Sequence, residues 1–337
     1  GFAVGNLLLG RVVDRFGITI CLVAAALMLG SGYALAAVSD GLWQFALCQG
    51  VLIGLGSAAT FGPLIADISH WFDKRRGIAV AAAASGNYLA GVVWPLAANG
   101  WRATYLVIAV VCVVVMIPLA MALRRRPLHV QGANAVRSVP KRQIDLSPAT
   151  LQGLLMLAGV GCCVAMSMPQ VHIVAYCADL GYGVAVGAQM LSLMLFGGII
   201  SRLASGFLAD AIGGVPTLLI GSVMQCLALF LYIPFDGLMS LYVVSLVFGL
   251  AQGGIVPCYA IIVRECLPAR EAGQRVGTVV MATVVGMAVG GWMSGAIYDL
   301  TASYQAAFLN GIAFNMMNIA ILVLILWRTK GMRPAFA

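Results

Sequence analysis

Apolar runs of twenty or more residues recur from one end of the chain to the other, at about 17–38, 42–66, 77–97, 103–123, 150–176, 184–209, 215–235, 238–263, 275–298 and 304–327. Such a run, wound as a helix rising about 1.5 Å per residue, spans the roughly 30 Å hydrocarbon core of a bilayer. Ten of them exceed what a soluble fold of this length can bury, and only 9% of the 337 residues are charged, against about 25% in soluble domains. With lipid as solvent, each backbone polar group must find a partner inside the protein, so the chain is read as an all-α integral membrane protein. Internal prolines such as Pro63, Pro95, Pro169 and Pro257 do not lower the count, because neighbouring helices re-satisfy the groups they free. A shorter apolar stretch at 1–9 cannot cross alone and is read as the end of one more helix.

One polar interval divides these runs. Residues 124–148 open on three arginines, add Arg137, Lys141 and Arg142, and are read as a linker between an N-terminal bundle, 1–123, and a C-terminal six-helix bundle with a short tail, 149–337. The two sides repeat each other. Gly10, Asp14 and Gly17 spell G-x-x-x-D-x-x-G, and Gly206, Asp210 and Gly213 spell it again 196 residues later. Gly54, Pro63, Arg75 and Gly91 match Gly249, Pro257, Arg270 and Gly286 at offsets of 194 or 195. A sustained offset of this kind marks an internal duplication. The helix at 150–176 has no upstream counterpart, since 150 minus 196 is negative. The expected architecture is therefore two six-helix bundles related by pseudo-two-fold symmetry, with the first helix and part of the second absent from this chain.

Charge here bears on orientation. A net charge of +8 raises the question of nucleic acid in a soluble protein, but these cations lie in short loops between spans. A cytoplasmic linker places Arg11, Arg15, Lys74, Arg75, Arg76, the six linker cations, Arg264, Arg270, Arg275, Arg328, Lys330 and Arg333 on one side, seventeen of nineteen. Arg102 alone falls outside, and Arg202 lies within a helix. The lipid bilayer is the expected environment, with no nucleic acid and no oligomer required. The location is read as multi-pass in a bacterial inner membrane, linker and C-terminus cytoplasmic.

Catalytic constellations are missing. Nine cysteines are scattered without a C-x-x-C pair, and His70, His129 and His172 stand far apart. Neither zinc-ligand spacing nor a disulfide framework results. No G-x-S-x-G, H-E-x-x-H or phosphate-cradling G-x-x-x-x-G-K-[ST] occurs. The chain is therefore expected to be no enzyme and to need no metal and no cofactor.

The duplicated loop motif, placed after the second and eighth helices of a twelve-helix count, together with the basic linker resembles the major facilitator superfamily over the whole chain. Finer likeness lies in Pro169, His172, Tyr176, Asp179 and Gly181, in Ser201, Arg202, Leu203, Gly206 and Asp210, and in Trp71, Phe72, Arg75, Arg76, Gly77 and Ala79. These resemble the monocarboxylate transporter family and related bacterial oxalate and formate exchangers. The resemblance implies the major facilitator fold, alternating access, and a substrate role for Arg202. It also implies that the loop acids Asp14 and Asp210 each face a helix N-terminus of the other half and gate the cytoplasmic side. Two departures stand out. Gly198 occupies the place where mammalian monocarboxylate transporters carry Asp one turn before the arginine, and the run at 275–298 lacks the second cation that oxalate exchangers use. One intramembrane cation suits one carboxylate, and proton coupling is neither required nor excluded.

Arg202 is the most informative residue. It stands about 9 Å into the membrane at 1.5 Å per residue, and insertion scales charge roughly 2.5–3.5 kcal/mol for Arg at mid-helix, so compensation is expected. A small carboxylate fits, both oxygens meeting the planar fork; snorkelling or pairing with Asp210 is the alternative. Imidazole as a group changes charge close to physiological pH, so His172 is read either as bonding substrate or proton or as a neutral imidazole held within the bundle. Asn87 and Tyr88 interrupt one apolar run, and Gln252 and Tyr259 another, as cavity-lining groups or as interhelical hydrogen bonds. The gating set is Gly10, Asp14, Arg15, Gly17, Gly206, Asp210 and Gly213, the second loop being the weaker latch because Ala211 and Ile212 replace the usual basic residue. Asp67 is expected to pair with Arg11 or Arg15. The function expected is secondary active transport of small organic anions, monocarboxylates of the lactate or pyruvate kind, with a proton as candidate co-substrate. The alternatives are an exporter of hydrophobic drugs and a non-transporting sensor on the same scaffold.

Overall fold

The computed structural model describes residues 1–72, 75–96, 100–123, 145–267 and 271–329. Most of the linker, with His129, the basic residues Lys74 and Arg270, the tail from 330, and the side-chain placements at Gly10, Arg11, Asp14, His70 and Arg76 lie outside the described residues. The N-terminal half comprises α1 (Phe2–Phe16), α2 (Ile18–Ala37), α3 (Leu42–Leu47), a π-helical stretch (Cys48–Ile53), α4 (Gly54–Ala59), α5 (Gly62–Trp71), α6 (Arg76–Leu96) and α7 (Trp101–Ala122). The C-terminal half comprises α8 (Pro148–Asp179), α9 (Val184–Ile212), α10 (Gly214–Leu231), α11 (Leu238–Gln252), α12 (Ile255–Cys266), α13 (Ala272–Thr301) and α14 (Tyr304–Trp327). Ten helical segments among the described residues are long and apolar enough to cross a membrane, and they coincide with the ten apolar runs. The most apolar, Trp101–Ala122 at a mean hydropathy of 2.8, is also the least buried. It turns Val107, Val110 and Val114 outward at helical spacing, as a helix in contact with lipid tails should.

The duplication is visible in the backbone. Gly17 and Gly213 take φ of 85° and 92°, and each both ends one helix and begins the next. Only glycine adopts that angle without strain, so the last glycine of each copy of the motif turns the chain with no loop at all. At the offset of 196, α1 corresponds residue for residue to the last fifteen residues of α9. The C-terminal half opens on a conventional cap, Ser147 Oγ accepting from Thr150 N at 3.1 Å ahead of Pro148.

Two spans are interrupted at equivalent places. α4 ends at Ala59, four residues before Pro63, and α11 ends at Gln252, with Gly253 four residues before Pro257. Proline has no N–H to give to the carbonyl four residues upstream, so each interruption leaves one such carbonyl without its helical donor. The span survives while the helix breaks.

The halves meet along two seams, α1 on α13 and α6 on α9, which the repeat relates to each other. Gly77 and Gly206 lie face to face across the second seam. A Cβ on Gly206 would come 2.8 Å from Gly77 O and 2.9 Å from Ile78 Cα, so the first motif glycine of this copy is required by close backbone approach. The main apolar cluster, including Leu155, Tyr259, Ile262 and Val280, extends across this boundary to Ile65, Val80 and Ala84.

Candidate substrate site around Arg202

Arg202 extends from α9 toward α6 and is only 2% exposed. Its Nε donates to Gly253 O at 2.8 Å, and its Nη1 donates to Asn87 Oδ1 at 2.6 Å and to Ala84 O. The Gly253 carbonyl is the one that Pro257 leaves without a helical donor. A helix-breaking proline thus creates the acceptor that anchors the buried arginine. Tyr88 completes the surround, its ring centroid 3.6 Å from the guanidinium carbon, a cation–π contact worth about 2 kcal/mol when desolvated. This is not a snorkelling arginine, and Asp210 is not its partner. Among the described residues every group that touches the guanidinium is uncharged, so its positive charge is solvated but not neutralised.

Gly198 has a steric reason. A Cβ added there would fall 2.6 Å from Tyr88 Cδ2, so the tyrosine ring fills the space an aspartate would need. The chain has an aromatic face against its arginine where the resembled transporters have a carboxylate nearby.

Arg202, Asn87 and Tyr88 are therefore brought together, while His172 and Tyr259 bond to other groups. His172 Nε2 donates to Gly291 O of α13 at 2.9 Å. Tyr259 is 0% exposed and donates to Asn318 Oδ1 at 3.3 Å, within a buried group that includes Ser222 and Asn315 inside the C-terminal half. Gln252 Oε1 accepts from Gln170 Nε2 at 2.7 Å. Sequence reading missed the backbone acceptors Ala84 O and Gly253 O. A proline four residues after a mid-span glycine was the available signal for the second; nothing in the sequence signals the first.

At the end of the same seam, Asp210 Oδ1 accepts from Gly77 N at 2.6 Å and Oδ2 from Ile78 N at 3.1 Å. Both donors belong to the first turn of α6, whose N–H groups have no partner within the helix and whose dipole favours a negative charge. Two motif fragments 133 residues apart in sequence thus form one contact between the halves. Glu265 Oε2 caps α10 in a similar way, accepting from Gly214 N at 3.1 Å. Arg15 is exposed, with its guanidinium 5.4 Å from the Phe16 ring, and Asp67 Oδ2 accepts from Trp71 Nε1 at 3.1 Å.

The family model of the Major Facilitator Superfamily matches residues 1–238 and 178–337. The chain belongs to the major facilitator superfamily. It is a membrane transporter and not an enzyme. Monocarboxylate transporter 13 of Bos taurus is 26% identical over 323 residues, covering 92% of this facilitator and 74% of the relative. The MFS transporter asaE of Aspergillus flavus is 23% identical over 305 residues, covering 88% and 68%. The human organic anion transporter MFSD10 (TETRAN) shares the fold, with a TM-score of 0.77 at 15% identity over 95% of this facilitator and 82% of that chain. A bovine and a fungal relative give no support to the bacterial inner membrane read from the sequence; a multi-pass membrane location is what stands.

Proposed function

We propose that this facilitator carries small organic anions, monocarboxylates of the lactate or pyruvate kind, by alternating access around Arg202. One observation carries the reading: a fully buried guanidinium whose partners among the described residues are all neutral. Nε and Nη1 are engaged by protein, and no hydrogen bond from Nη2 is made to the described residues. A carboxylate that reaches this fork supplies both the missing charge and the acceptors, and its short carbon chain meets apolar helix walls. Ala84 and Asn87 belong to one half and Gly253 to the other, so the anion sits where the halves part. Asp210 closes the cytoplasmic end of the seam, with Asp14 in the equivalent place of the first half. The basic loops, linker and C-terminus face the cytoplasm.

Uptake of labelled mono- and dicarboxylates by the full-length protein and by Arg202→Lys, across external pH, tests the proposal. Lysine keeps the charge but not the fork. Loss of one charged hydrogen bond, about 1.5–3 kcal/mol, corresponds to roughly ten- to hundredfold weaker binding. Normal transport by the lysine variant, or indifference of the wild type to all acids, would sink the assignment. Transport of a large apolar compound with no response to acids would instead favour the exporter reading.

A further inference from the structure

One buried group, next in sequence to the Gly253 carbonyl that holds Arg202, has no part in the reading above. Gln252 is the last residue of α11 and immediately precedes Gly253, whose carbonyl accepts from Arg202 Nε at 2.8 Å. It lies midway along the span Leu238–Cys266, at the point where that span breaks. Its side chain is 0% exposed. Oε1 is occupied by Gln170 Nε2 of α8 at 2.7 Å, whereas Nε2 has no acceptor among the described residues.

A buried amide donor without an acceptor is costly, and packed cores seldom keep one. Its location gives the reason. Irregular backbone at membrane depth is tolerated where it is buried in protein or lines a cavity, and transporters place their substrates at such broken helices near the midplane. Two donors therefore flank one helix break: a guanidinium that lacks an anion, and an amide N–H that lacks an oxygen. A monocarboxylate with an oxygen on carbon 2 presents both acceptors on adjacent carbons.

We propose that Gln252 Nε2 donates to the carbon-2 oxygen of the acid whose carboxylate lies on Arg202, so that this facilitator selects 2-oxo and 2-hydroxy monocarboxylates over unsubstituted ones. Gln170 is a positioning residue that fixes the amide by holding its oxygen. The inference rests on the Arg202 reading and narrows it. An acid without the second oxygen leaves the buried donor unpaired, and a site built to bond a polar group discriminates against the analogue that lacks it.

The test compares lactate, pyruvate and propionate, equal in carbon number, in proteoliposomes containing the full-length wild type, Gln252→Met or Gln170→Met. In the wild type the KM of propionate should exceed those of lactate and pyruvate by about tenfold. Gln252→Met should raise the lactate and pyruvate KM by about three- to tenfold while leaving propionate unchanged, collapsing the ratio. Gln170→Met should do the same to a smaller extent. A role confined to packing would shift all three acids together, and that result overturns the proposal. Equal KM values for lactate and propionate in the wild type overturn it without any variant. Wild type that carries all three acids equally leaves the Arg202 reading standing alone, whereas wild type that carries none removes both.

Discussion

Replacing Asp210 by Asn should unlatch the α6–α9 seam by an amount that follows from its two contacts. The carboxylate accepts from Gly77 N at 2.6 Å and Ile78 N at 3.1 Å, and bonds to a charged acceptor contribute about 1.5–3 kcal/mol each. Asp210 is exposed, so solvent screening favours the low end, about 3 kcal/mol for the pair. Asparagine keeps one neutral acceptor worth about 1 kcal/mol, and loses the charge that the helix N-terminus favours. The net loss is about 2 kcal/mol, or roughly thirtyfold in the equilibrium between latched and unlatched seams. An unlatched state populated at about 1% would rise to about a quarter of the molecules. Spin labels at Ile20 on α2 and Ile220 on α10, both exposed and in opposite halves, report that change as a longer-distance population in pulsed electron resonance. High salt should move the wild type in the same direction, because the contact is a screened exposed charge. If the Asn variant gives the wild-type distance distribution, Asp210 caps a helix without holding the halves together.

Two other substitutions probe the surroundings of Arg202. Gly198→Asp should cost about 1–3 kcal/mol by overpacking against Tyr88, seen as a lower Tm in detergent; adding Tyr88→Ala should recover most of it, and an unchanged Tm in the single variant would contradict the steric explanation of Gly198. Pro257→Ala returns an N–H that competes with Arg202 Nε for Gly253 O. It should weaken acid binding about three- to tenfold with no loss of thermal stability, and unaltered affinity would show that this carbonyl does not anchor the arginine.

What the sequence disclosed and what it concealed divide along physical lines. Spans are legible because lipid imposes the same demand on every one of them, and the ten runs reappear, among the described residues, as ten helical segments long and apolar enough to cross a membrane. Gly17 and Gly213 were legible as turns because few residues besides glycine tolerate a φ near 90°. Pro257 was read as harmless to the span, which holds; its consequence for the Gly253 carbonyl lay one step further along the same rule. The pairing of Asp210 with Gly77 has no local signature, since no periodicity connects residues 133 apart, and it was reachable only through the family likeness. His172 and Tyr259 show a different limit, both readings having been open for them. Polarity within an apolar run says that a side chain wants a partner, and the rotation of its helix decides which one. For these two the partners are Gly291 and Asn318, not the arginine.

On the proposed reading, the α6–α9 seam is fastened at two depths with different chemistry. Arg202 and Asp210 are eight residues apart on α9, about 12 Å at 1.5 Å per residue. Asp210 is itself the charge of the outer fastening, and an anionic substrate offers nothing better to the N–H groups it holds. The inner fastening is different, because Ala84 O and Asn87 Oδ1 are neutral acceptors of a charged donor, and a carboxylate is the stronger acceptor. A ligand shifts a conformational equilibrium only by the difference in its affinity for the two states. A carboxylate binds Arg202 best where Ala84 and Asn87 have withdrawn from it, and the Ala84 carbonyl, fixed in the backbone of α6, withdraws only when α6 moves away from α9. Occupancy therefore favours parting of the seam at Arg202, while Asp210 sets how much further the halves must be driven before the cytoplasmic end opens.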